Sequence, residues 1–172
     1  MGIESGINDY QWYAVYTRSR TEKKAHDELV QRGIICFLPM HKVLRQWSDR
    51  KKWVETPLFN SYLFVRISPK EYLQVLQISG LVRFITFEGK AVPIPPQQIE
   101  AIKVFLEQGA PDFASEEVHL LAGAAVEITR GTMIGLTGIL LHIAGKHRVK
   151  VEIDCVGQSL ILNVPKSSLT II

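Results

Sequence analysis

The first half of the chain shows two periods in its hydrophobic and polar residues. A period of two predicts strands, because successive side chains of a strand point to opposite faces, and a period of about 3.6 predicts helices. The predicted order is a strand over 12–17, a helix over 21–32, strands over 34–38 and 60–67, a helix over 69–79 and a strand over 81–87. This β-α-β-β-α-β order describes a ferredoxin-like split β-α-β sheet in an α+β fold, with two helices on one face.

Polar residues and glycines mark the ends of the two predicted helices. Thr21 is placed to cap the first helix, and Gly33 is expected to end it. The segment Ser68–Glu71 has the spacing of a capping box, with a proline at the first helical position. Gly80 is expected to end the second helix.

The sequence RQWSDRKKW, residues 45–53, combines two tryptophans with four basic residues. The runs 40–47 and 53–56 predict the two arms of a protruding β-hairpin, with the turn near the Ser-Asp pair between them. Trp47 and Trp53 are expected to pack near one another and stiffen the arms. The tip then either contacts a polyanion or is simply solvated. Its candidate nucleic-acid-binding residues are Arg50, Lys51 and Lys52.

The strand that follows the hairpin carries aromatic side chains on one face. Leu63 and Val65 point to one side and Tyr62 and Phe64 to the other. If the helices cover the aliphatic side, the aromatic rings lie on the less covered face, and exposed aromatic patches mark partner sites. In the alternative interpretation these rings and Phe59 simply pack under the hairpin.

The pattern of hydrophobic and polar residues changes after a PIPP segment at 93–96. A short amphipathic helix follows, and 108–118 has little apolar periodicity, so it predicts a linker. Beyond it, short β runs punctuated by glycines, without a helical period, indicate a small all-β barrel. The predicted domains are therefore 8–107 and 119–172.

The net charge of +3 is unevenly distributed along the chain. Residues 18–53 hold ten Lys/Arg against four Asp/Glu, a net charge of +6. A polyanion responds to local charge density rather than to the total. We therefore expect nucleic acid at this segment, with a solvated helix face as the alternative. The candidate residues of its first loop and helix are Arg18, Arg20, Lys23, Lys24 and Arg32.

The residue patterns that catalysis needs are missing from the sequence. There is no G-x-S-x-G, Walker loop or G-x-G-x-x-G, and the five histidines are scattered. We therefore expect no enzyme activity, no metal site and no cofactor. No apolar run reaches the roughly 18 residues of a membrane span, and no secretory signal is visible. Cys36 and Cys155 are expected to be buried free thiols in a reducing cytoplasm, with a disulfide or a metal site as the alternative.

Two resemblances rest on these residues. The segment 123–140 has the skeleton GxxVxIxxGxxxGxxGxL and resembles the KOW motif of SH3-like barrels. Residues 12–107 resemble the N-terminal domain of NusG-family transcription elongation factors, and an N-terminal domain followed by KOW is the architecture of that family. The matching segments are WY at 12–13, EKK at 22–24, FLP at 37–39, PLF at 57–59, YLFV at 62–65 and GLVxF at 80–84.

Within that family the chain is more similar to one branch. WYAVYTRSRTEKK and FLPMHKVLRQWSDRKKW resemble the UpxY-type specialised antiterminators of capsular polysaccharide operons. The sequence also departs from the family pattern in two places. Asn60-Ser61 stands where Pro-Gly or Pro-Asn is common, which puts the geometry of that turn in doubt, and Thr-Met-Ile stands where Pro-Phe is common between the KOW glycines.

The resemblance implies partners and site residues. Relatives dock on the clamp helices of RNA polymerase through an aromatic depression, which Phe59 and Tyr62 match, with Phe64 beside them. Specialised relatives read the non-template DNA strand through basic positions that Arg18 and Lys24 match, and the hairpin tip is expected to face upstream DNA or the polymerase. The KOW partner is either a ribosomal protein or a termination factor. The implied function is antitermination, the suppression of pausing and termination, on a polysaccharide biosynthesis operon.

A second interpretation comes from another class of protein. KOW domains and basic α+β sheets also occur in RNA-binding and ribosome-associated proteins. In that case Tyr62, Phe64 and the basic helix would stack on RNA and hold it directly.

Overall fold

The computed structural model describes residues 9–109, 123–143 and 146–172, and its contacts divide the chain into two units between Ile94 and Pro95. The first unit contains β1 (Gln11–Thr17), α1 (Glu22–Gln31), β2 (Ile35–Phe37), β3 (Met40–Gln46), β4 (Lys51–Pro57), β5 (Tyr62–Ile67), α2 (Tyr72–Leu76), β6 (Leu81–Phe84), β7 (Thr86–Phe87), β8 (Lys90–Ala91) and β9 (Pro93–Ile94). The second contains α3 (Pro96–Gln108), β10 (Ala125–Ile128), β11 (Thr137–Ile143), β12 (Lys146–Ile153), β13 (Gln158–Asn163) and β14 (Leu169–Ile171).

The central sheet of the first unit has the strand order β2-β5-β1-β6, and β9 also pairs with β1. Each of these pairings is antiparallel. This order arises because α1 connects β1 to β2 and α2 connects β5 to β6, and in each case the two strands are not neighbours in the sheet. The predicted succession of strands and helices is confirmed, and so is the separate hairpin β3–β4.

The two helices cover one face of this sheet. Leu63, Val65 and Ile67 of β5 are buried there together with Leu29 of α1 and Val75 of α2. Burial of each such side chain contributes about 1.5–3 kcal/mol. The expectation that the helices lie on the aliphatic side of β5 is therefore confirmed.

The ends of the helices differ in part from the expectations. Gly33 has φ 75° and follows α1, as predicted. Thr21 is the N-cap residue of α1, but its hydroxyl donates to the carbonyl oxygen of Arg18 at 2.7 Å instead of capping the helix. The backbone N–H of Ser68 donates to the carboxylate of Glu71 at 2.9 Å, as the capping box requires, although only a 3₁₀ turn and the short α2 follow.

The turn before β5 is held by two backbone hydrogen bonds at Ser61. Its N–H donates to Oε1 of the buried Glu22 at 2.9 Å, and its carbonyl oxygen accepts from the N–H of Thr17 at 2.8 Å. Ser61 also has φ 64°, a left-handed conformation that favours glycine. The departure from the family pattern at this turn is thus a serine in a backbone conformation suited to glycine.

The strands of the second unit form one sheet of order β13-β12-β11-β10-β14, with antiparallel pairings. Gly131 and Gly135 both have φ 85° in the turn between β10 and β11, as their spacing predicts. Gly138 allows a close approach, since a Cβ there would lie 2.5 Å from the carbonyl oxygen of Lys150. Beyond residue 123 the regular structure of the described residues is strand and 3₁₀ turn, in agreement with the predicted β character.

The helix α3 belongs with the second unit. The side-chain amide of Gln108 pairs with the backbone of Asn163 at the end of β13, donating to its carbonyl oxygen at 3.0 Å and accepting from its N–H at 2.9 Å. The division at Ile94 therefore falls before α3, whereas the sequence assigns this helix to the first domain. The predicted linker lies almost wholly outside the described residues.

Replacing Ser61 by glycine is expected to stabilise the first unit. A left-handed conformation costs a non-glycine residue about 1–2 kcal/mol, and the substitution removes this cost. Glycine also makes the unfolded chain more flexible, which offsets about 0.5–1 kcal/mol of the stabilisation. We predict that Ser61→Gly raises the free energy of unfolding by about 0.5–1 kcal/mol. Urea unfolding followed by tryptophan fluorescence measures this, because Trp12, Trp47 and Trp53 are the three tryptophans of the chain.

The neighbouring Asn60 supplies the control. It is exposed and is not among the residues with positive φ, so Asn60→Gly adds flexibility without relieving strain and is expected to destabilise. Equal effects of the two substitutions would contradict the assignment of strain to Ser61.

Candidate nucleic-acid and partner interface

The loop after β1 carries exposed arginines on a fixed backbone. The N–H of Arg18 donates to the carbonyl oxygen of Gly80 at 2.8 Å, and the carbonyl of Arg18 accepts the Thr21 hydroxyl. Arg20 has φ 66°, which closes the loop into the start of α1. The side chains of Arg18 and Arg20 are both exposed, so the backbone of this loop serves the fold while its guanidinium groups face solvent.

Gly80 holds this loop through a close contact. It has φ 92°, and a Cβ at this position would lie 2.7 Å from Oγ1 of Thr21. A larger residue would push the turn before β6 away from the loop. The basic loop is thus positioned by the glycine that the sequence assigns only to the end of a helix.

The helix α1 adds cations to the loop at its N-terminal end only. Lys23 and Lys24 are exposed in its first turn. Arg32 lies beyond the other end, roughly 13 Å along the helix axis from Lys23 at about 1.5 Å per residue, and its guanidinium is 2.9 Å from the carboxylate of Glu28. The structure therefore groups four of the five predicted basic residues of this segment and leaves Arg32 apart.

The aromatic residues expected on an exposed face are mostly buried. Phe59 is 2% exposed and Phe64 is 0% exposed. The Phe64 ring contacts Phe59 edge-to-face at 6.1 Å and stacks against Phe37 at 6.2 Å between centroids. Near them the N–H of Leu58 donates to the carbonyl oxygen of Pro39 at the base of the hairpin, at 2.8 Å. The expected exposed patch is wrong for Phe64, because strand alternation shows which face a ring is on and not whether that face is covered. Phe59, which the resemblance assigns to the same patch, precedes β5 and is buried as well.

Tyr62 lies at the accessible edge of the same face. It is partly exposed and meets Tyr16 edge-to-face at 5.5 Å, because the two residues are paired across β1 and β5. On the other side of β1 the guanidinium of Arg83 lies over the Tyr16 ring, 5.6 Å from its centroid. We call Tyr16, Tyr62 and Arg83 the tyrosine cluster. A cation–π contact of this kind contributes about 0.5–1 kcal/mol at an exposed site.

Two members of the tyrosine cluster are not predicted by the sequence. It assigns Tyr16 only to a strand, and Arg83 only to the strand after Gly80. What brings them to Tyr62 is the placement of β1 between β5 and β6, which is a property of the sheet order. Aromatic and basic residues at corresponding ends of β1, β5 and β6 are the one signal that could have indicated the cluster.

The tip of the hairpin is exposed and has two unlike faces. Leu44 pairs with Trp53 and Gln46 with Lys51, whereas the N–H of Trp47 donates to the carbonyl oxygen of Arg50 at 2.8 Å. Paired residues share a face and successive residues alternate. Trp53 therefore lies on the opposite face from Trp47, and the predicted tryptophan pair is wrong. The predicted basic residues of the tip, all exposed, are Arg50, Lys51 and Lys52.

Cys36 is a partly buried free thiol that donates weakly to the carbonyl oxygen of His26, at 3.7 Å. Desolvation, and to a lesser degree the carboxylate of Asp27, raise the pKa of Cys36 to about 11.

The side chains of Cys155, His142 and His147, and the whole of His119, fall outside the described residues. Within the described ranges, no three His, Cys, Asp or Glu side chains are placed to hold a metal ion.

Helices that could cross a membrane are absent from the described part of the chain: none there is both long and apolar enough.

The surfaces described so far carry exposed cations and partly exposed aromatic rings, the chemistry of a protein that binds macromolecules. Residues 10–103 match the family described as "Transcription termination factor nusG". Since this match covers more than half of the 172 residues, the chain belongs to the NusG family. Members of this family are transcription factors and not enzymes, which confirms that no enzyme activity is to be expected.

The similarity extends over most of the chain. "Transcription termination/antitermination protein NusG" of Deinococcus radiodurans is 24% identical over 174 residues, covering 86% of this chain and 92% of that protein. The protein of the same name from Thermus thermophilus is 27% identical over 165 residues, covering 83% and 89%. A solved structure titled "Domain interaction in Thermotoga maritima NusG" matches with a TM-score of 0.53 at 20% identity, covering 95% of this chain and 97% of the other. That structure supports the mixed fold of helices and several sheets.

Replacing Gly80 by alanine is expected to disturb the basic loop. The substitution combines a strained φ with the contact to Thr21, so we predict a loss of about 2–3 kcal/mol in the free energy of unfolding of the first unit. Gly89→Ala is the matched control, because Gly89 has φ 78° with nothing within 4 Å of the position that a Cβ would take. Urea unfolding measures both variants. Equal losses would show that the contact to Thr21 does not position the loop.

The thiol of Cys36 is expected to react slowly with iodoacetamide. Because burial disfavours the thiolate, the rate of alkylation should rise with a midpoint near pH 11 instead of about 8.5, the ordinary pKa of a cysteine. A Cys155→Ser variant leaves Cys36 as the one thiol of the chain, and mass spectrometry across pH follows it. The same variant in urea is the control and should react with the ordinary midpoint. A native midpoint near 8.5 would contradict the burial of this thiol.

Proposed function

We propose that the protein is a specialised transcription elongation factor that binds RNA polymerase through its first unit and suppresses pausing and termination. One observation carries this proposal. The hydrogen bond between Thr17 and Ser61 brings Arg18 of the basic loop and Tyr62 of the tyrosine cluster to the same end of the sheet. Cations for a nucleic acid and aromatic rings for a protein surface therefore lie side by side, in a chain of the NusG family.

The proposal includes the finer architecture. The antiparallel order β2-β5-β1-β6, with α1 and α2 on one face, supports a ferredoxin-like domain from which β3 and β4 project as a hairpin. The strand order of the second unit and its turn at Gly131 and Gly135 support an SH3-like KOW barrel. We propose Ile94, instead of residue 107, as the end of the first domain, because α3 lies with the second unit. We retain 108–118 as the segment that joins α3 to the barrel at 119–172.

Docking would use the tyrosine cluster on the clamp helices of the polymerase. Tyr62 is accessible, whereas Phe59 and Phe64 support it from the interior. Aromatic rings that keep a polar tip suit such interfaces, because one end packs while the other stays hydrated. The three residues thus have different proposed roles: Tyr62 makes the contact, and the two phenylalanines hold the strand that presents it.

The basic loop would contact DNA beside the docked polymerase. Arg18, Arg20, Lys23 and Lys24 are exposed and lie together, so each can neutralise a phosphate of the non-template or upstream DNA. A factor shifts a conformational equilibrium only by its differential affinity for the two states. Antitermination therefore requires that the protein bind the closed clamp more tightly than the open one.

The specialised branch of the family is proposed from the sequence. The net charge of +6 over residues 18–53 supports a factor that reads DNA, and the UpxY-like segments suggest a polysaccharide operon as its target. The barrel would then bind a ribosomal protein or a termination factor, and the protein would act in the cytoplasm.

Replacing Tyr62 by alanine is expected to weaken polymerase binding about tenfold, the effect of a moderate interface hot spot. Tyr62 is the suitable residue because it is accessible, whereas Phe59→Ala would leave a cavity costing about 3–5 kcal/mol. Run-through of a terminator by purified polymerase should fall in parallel. Tyr10→Ala is the control, since Tyr10 is exposed next to the opposite end of β1.

Two outcomes would count against the proposal. Unchanged polymerase binding by the Tyr62 variant would contradict the proposal that Tyr62 contacts the polymerase. Co-purification with ribosomes or RNA alone, after nuclease treatment, would favour the RNA-binding alternative, in which Tyr16 and Tyr62 stack on bases directly.

A further inference from the structure

One face of the hairpin exposes a large apolar surface. Trp53 is 63% exposed and its cross-strand partner Leu44 is 46% exposed. Tryptophan side chains are on average well buried, and a flat indole left in water is an unused contact surface. In the described part of the chain Trp53 is the most exposed of the three tryptophans, although it sits in a regular strand and not in a loop.

The surroundings of this indole are cationic. Residues 40–57 hold five Lys/Arg against two Asp/Glu, a net charge of +3. Lys51 lies on the Trp53 face, two residues away along β4, and Lys42 borders the shallow depression beside the indole, together with Glu55. Lys52 lies on the other face of the same strand. An apolar partner helix would gain nothing from this charge, whereas a polyanion with flat apolar groups would use both features.

Single-stranded nucleic acid has that combination. Its phosphates are neutralised by lysine and arginine, and its unpaired bases offer faces that stack on aromatic side chains with little dependence on sequence. The bases of a duplex are already stacked on one another, so a duplex could use the cations but not the indole. The pairing of an exposed tryptophan with a cationic β-ribbon therefore favours a single strand over a duplex.

We propose that the Trp53 face of the hairpin binds single-stranded DNA, with one base stacked on the indole of Trp53 and with Lys42 and Lys51 neutralising phosphates. The choice of DNA rests on the proposed function, since a transcribing polymerase displaces a DNA strand. The binding itself does not, because the hairpin is a surface of the free protein. This site is separate from the basic loop and from the tyrosine cluster, and the sequence predicts for Trp53 only a role in stiffening the arms.

The hairpin supplies its own matched control. Trp47 is 45% exposed and lies on the opposite face at the start of the turn, where Arg45 and Lys52 are the paired cations of its own face. Replacing either tryptophan removes the same side chain from the same cationic ribbon. Only the replacement of Trp53 removes the proposed stacking surface.

The test measures binding of the full chain to a fluorescein-labelled oligothymidylate by anisotropy. We expect Trp53→Ala to weaken binding about tenfold, the effect of losing one base–aromatic stack, and Trp53→Phe to recover part of it. Trp47→Ala should change affinity less than about twofold on the same reasoning.

Quenching of protein fluorescence by the unlabelled oligonucleotide should disappear in Trp53→Phe and persist in Trp47→Phe. Replacing Lys42 and Lys51 by glutamine should reduce the salt slope by about 1.4.

The outcomes separate the inference from the proposed function. Equal losses for Trp53→Ala and Trp47→Ala, or an unlabelled duplex that competes as well as the single strand, would overturn it. Tighter binding of oligouridylate would overturn the assignment to DNA and identify RNA as the ligand. Polymerase co-purification is measured in parallel: loss of oligonucleotide binding in Trp53→Ala with polymerase binding intact supports the inference. A Tyr62→Ala variant that keeps the oligonucleotide supports a binding site separate from the tyrosine cluster, whether or not that variant still binds polymerase.

Discussion

The buried carboxylate of Glu22 is the contact on which the first unit depends. It accepts a hydrogen bond from the backbone N–H of Ser61 at 2.9 Å, and Glu22 itself is only 6% exposed. A hydrogen bond to a charged group contributes about 1.5–3 kcal/mol, and leaving a buried carboxylate without it costs more. Because Glu22 opens α1 and Ser61 precedes β5, this one bond fixes the start of the helix, the end of the basic loop and the entry of the central strand.

The contacts around Ser61 also explain how a stable sheet can expose side chains that are suited to binding. There the backbone atoms are used for structure: Thr17 bonds to Ser61, and Arg18 bonds to Gly80. The side chain of Arg18 stays exposed and that of Tyr62 partly exposed, as the proposed binding of partners requires. A loop whose backbone is satisfied internally keeps its shape when its cations lose their water to a phosphate, so less conformational entropy is lost on binding.

The sequence predicts the elements better than the surfaces. Periods of two and 3.6 depend only on neighbouring residues, and they place α1, β5 and the hairpin correctly. The burial of Phe64 depends on what covers its face of the sheet, which alternation does not report. The tyrosine cluster depends on the order of three strands that are distant in sequence. The relative positions of the two hairpin tryptophans depend on the length of a single turn. The two-residue turn sets which positions pair, and a turn longer by one residue would bring Trp47 and Trp53 to the same face.

The hairpin and the tyrosine cluster would act together without touching. A single stack and a few exposed cations give only weak affinity in isolation, because each exposed charge is screened and each base contributes about 1–3 kcal/mol. In the proposed function the tyrosine cluster would hold the protein on a polymerase, and a displaced strand within reach of the hairpin would be present at an effective concentration of about millimolar order. Weak binding at Trp53 would then become substantial occupancy, and it would be lost when the protein dissociates. A surface that binds weakly alone and strongly when tethered would keep the free protein off other single-stranded nucleic acid in the cell, as the proposed recruitment to few transcription complexes requires.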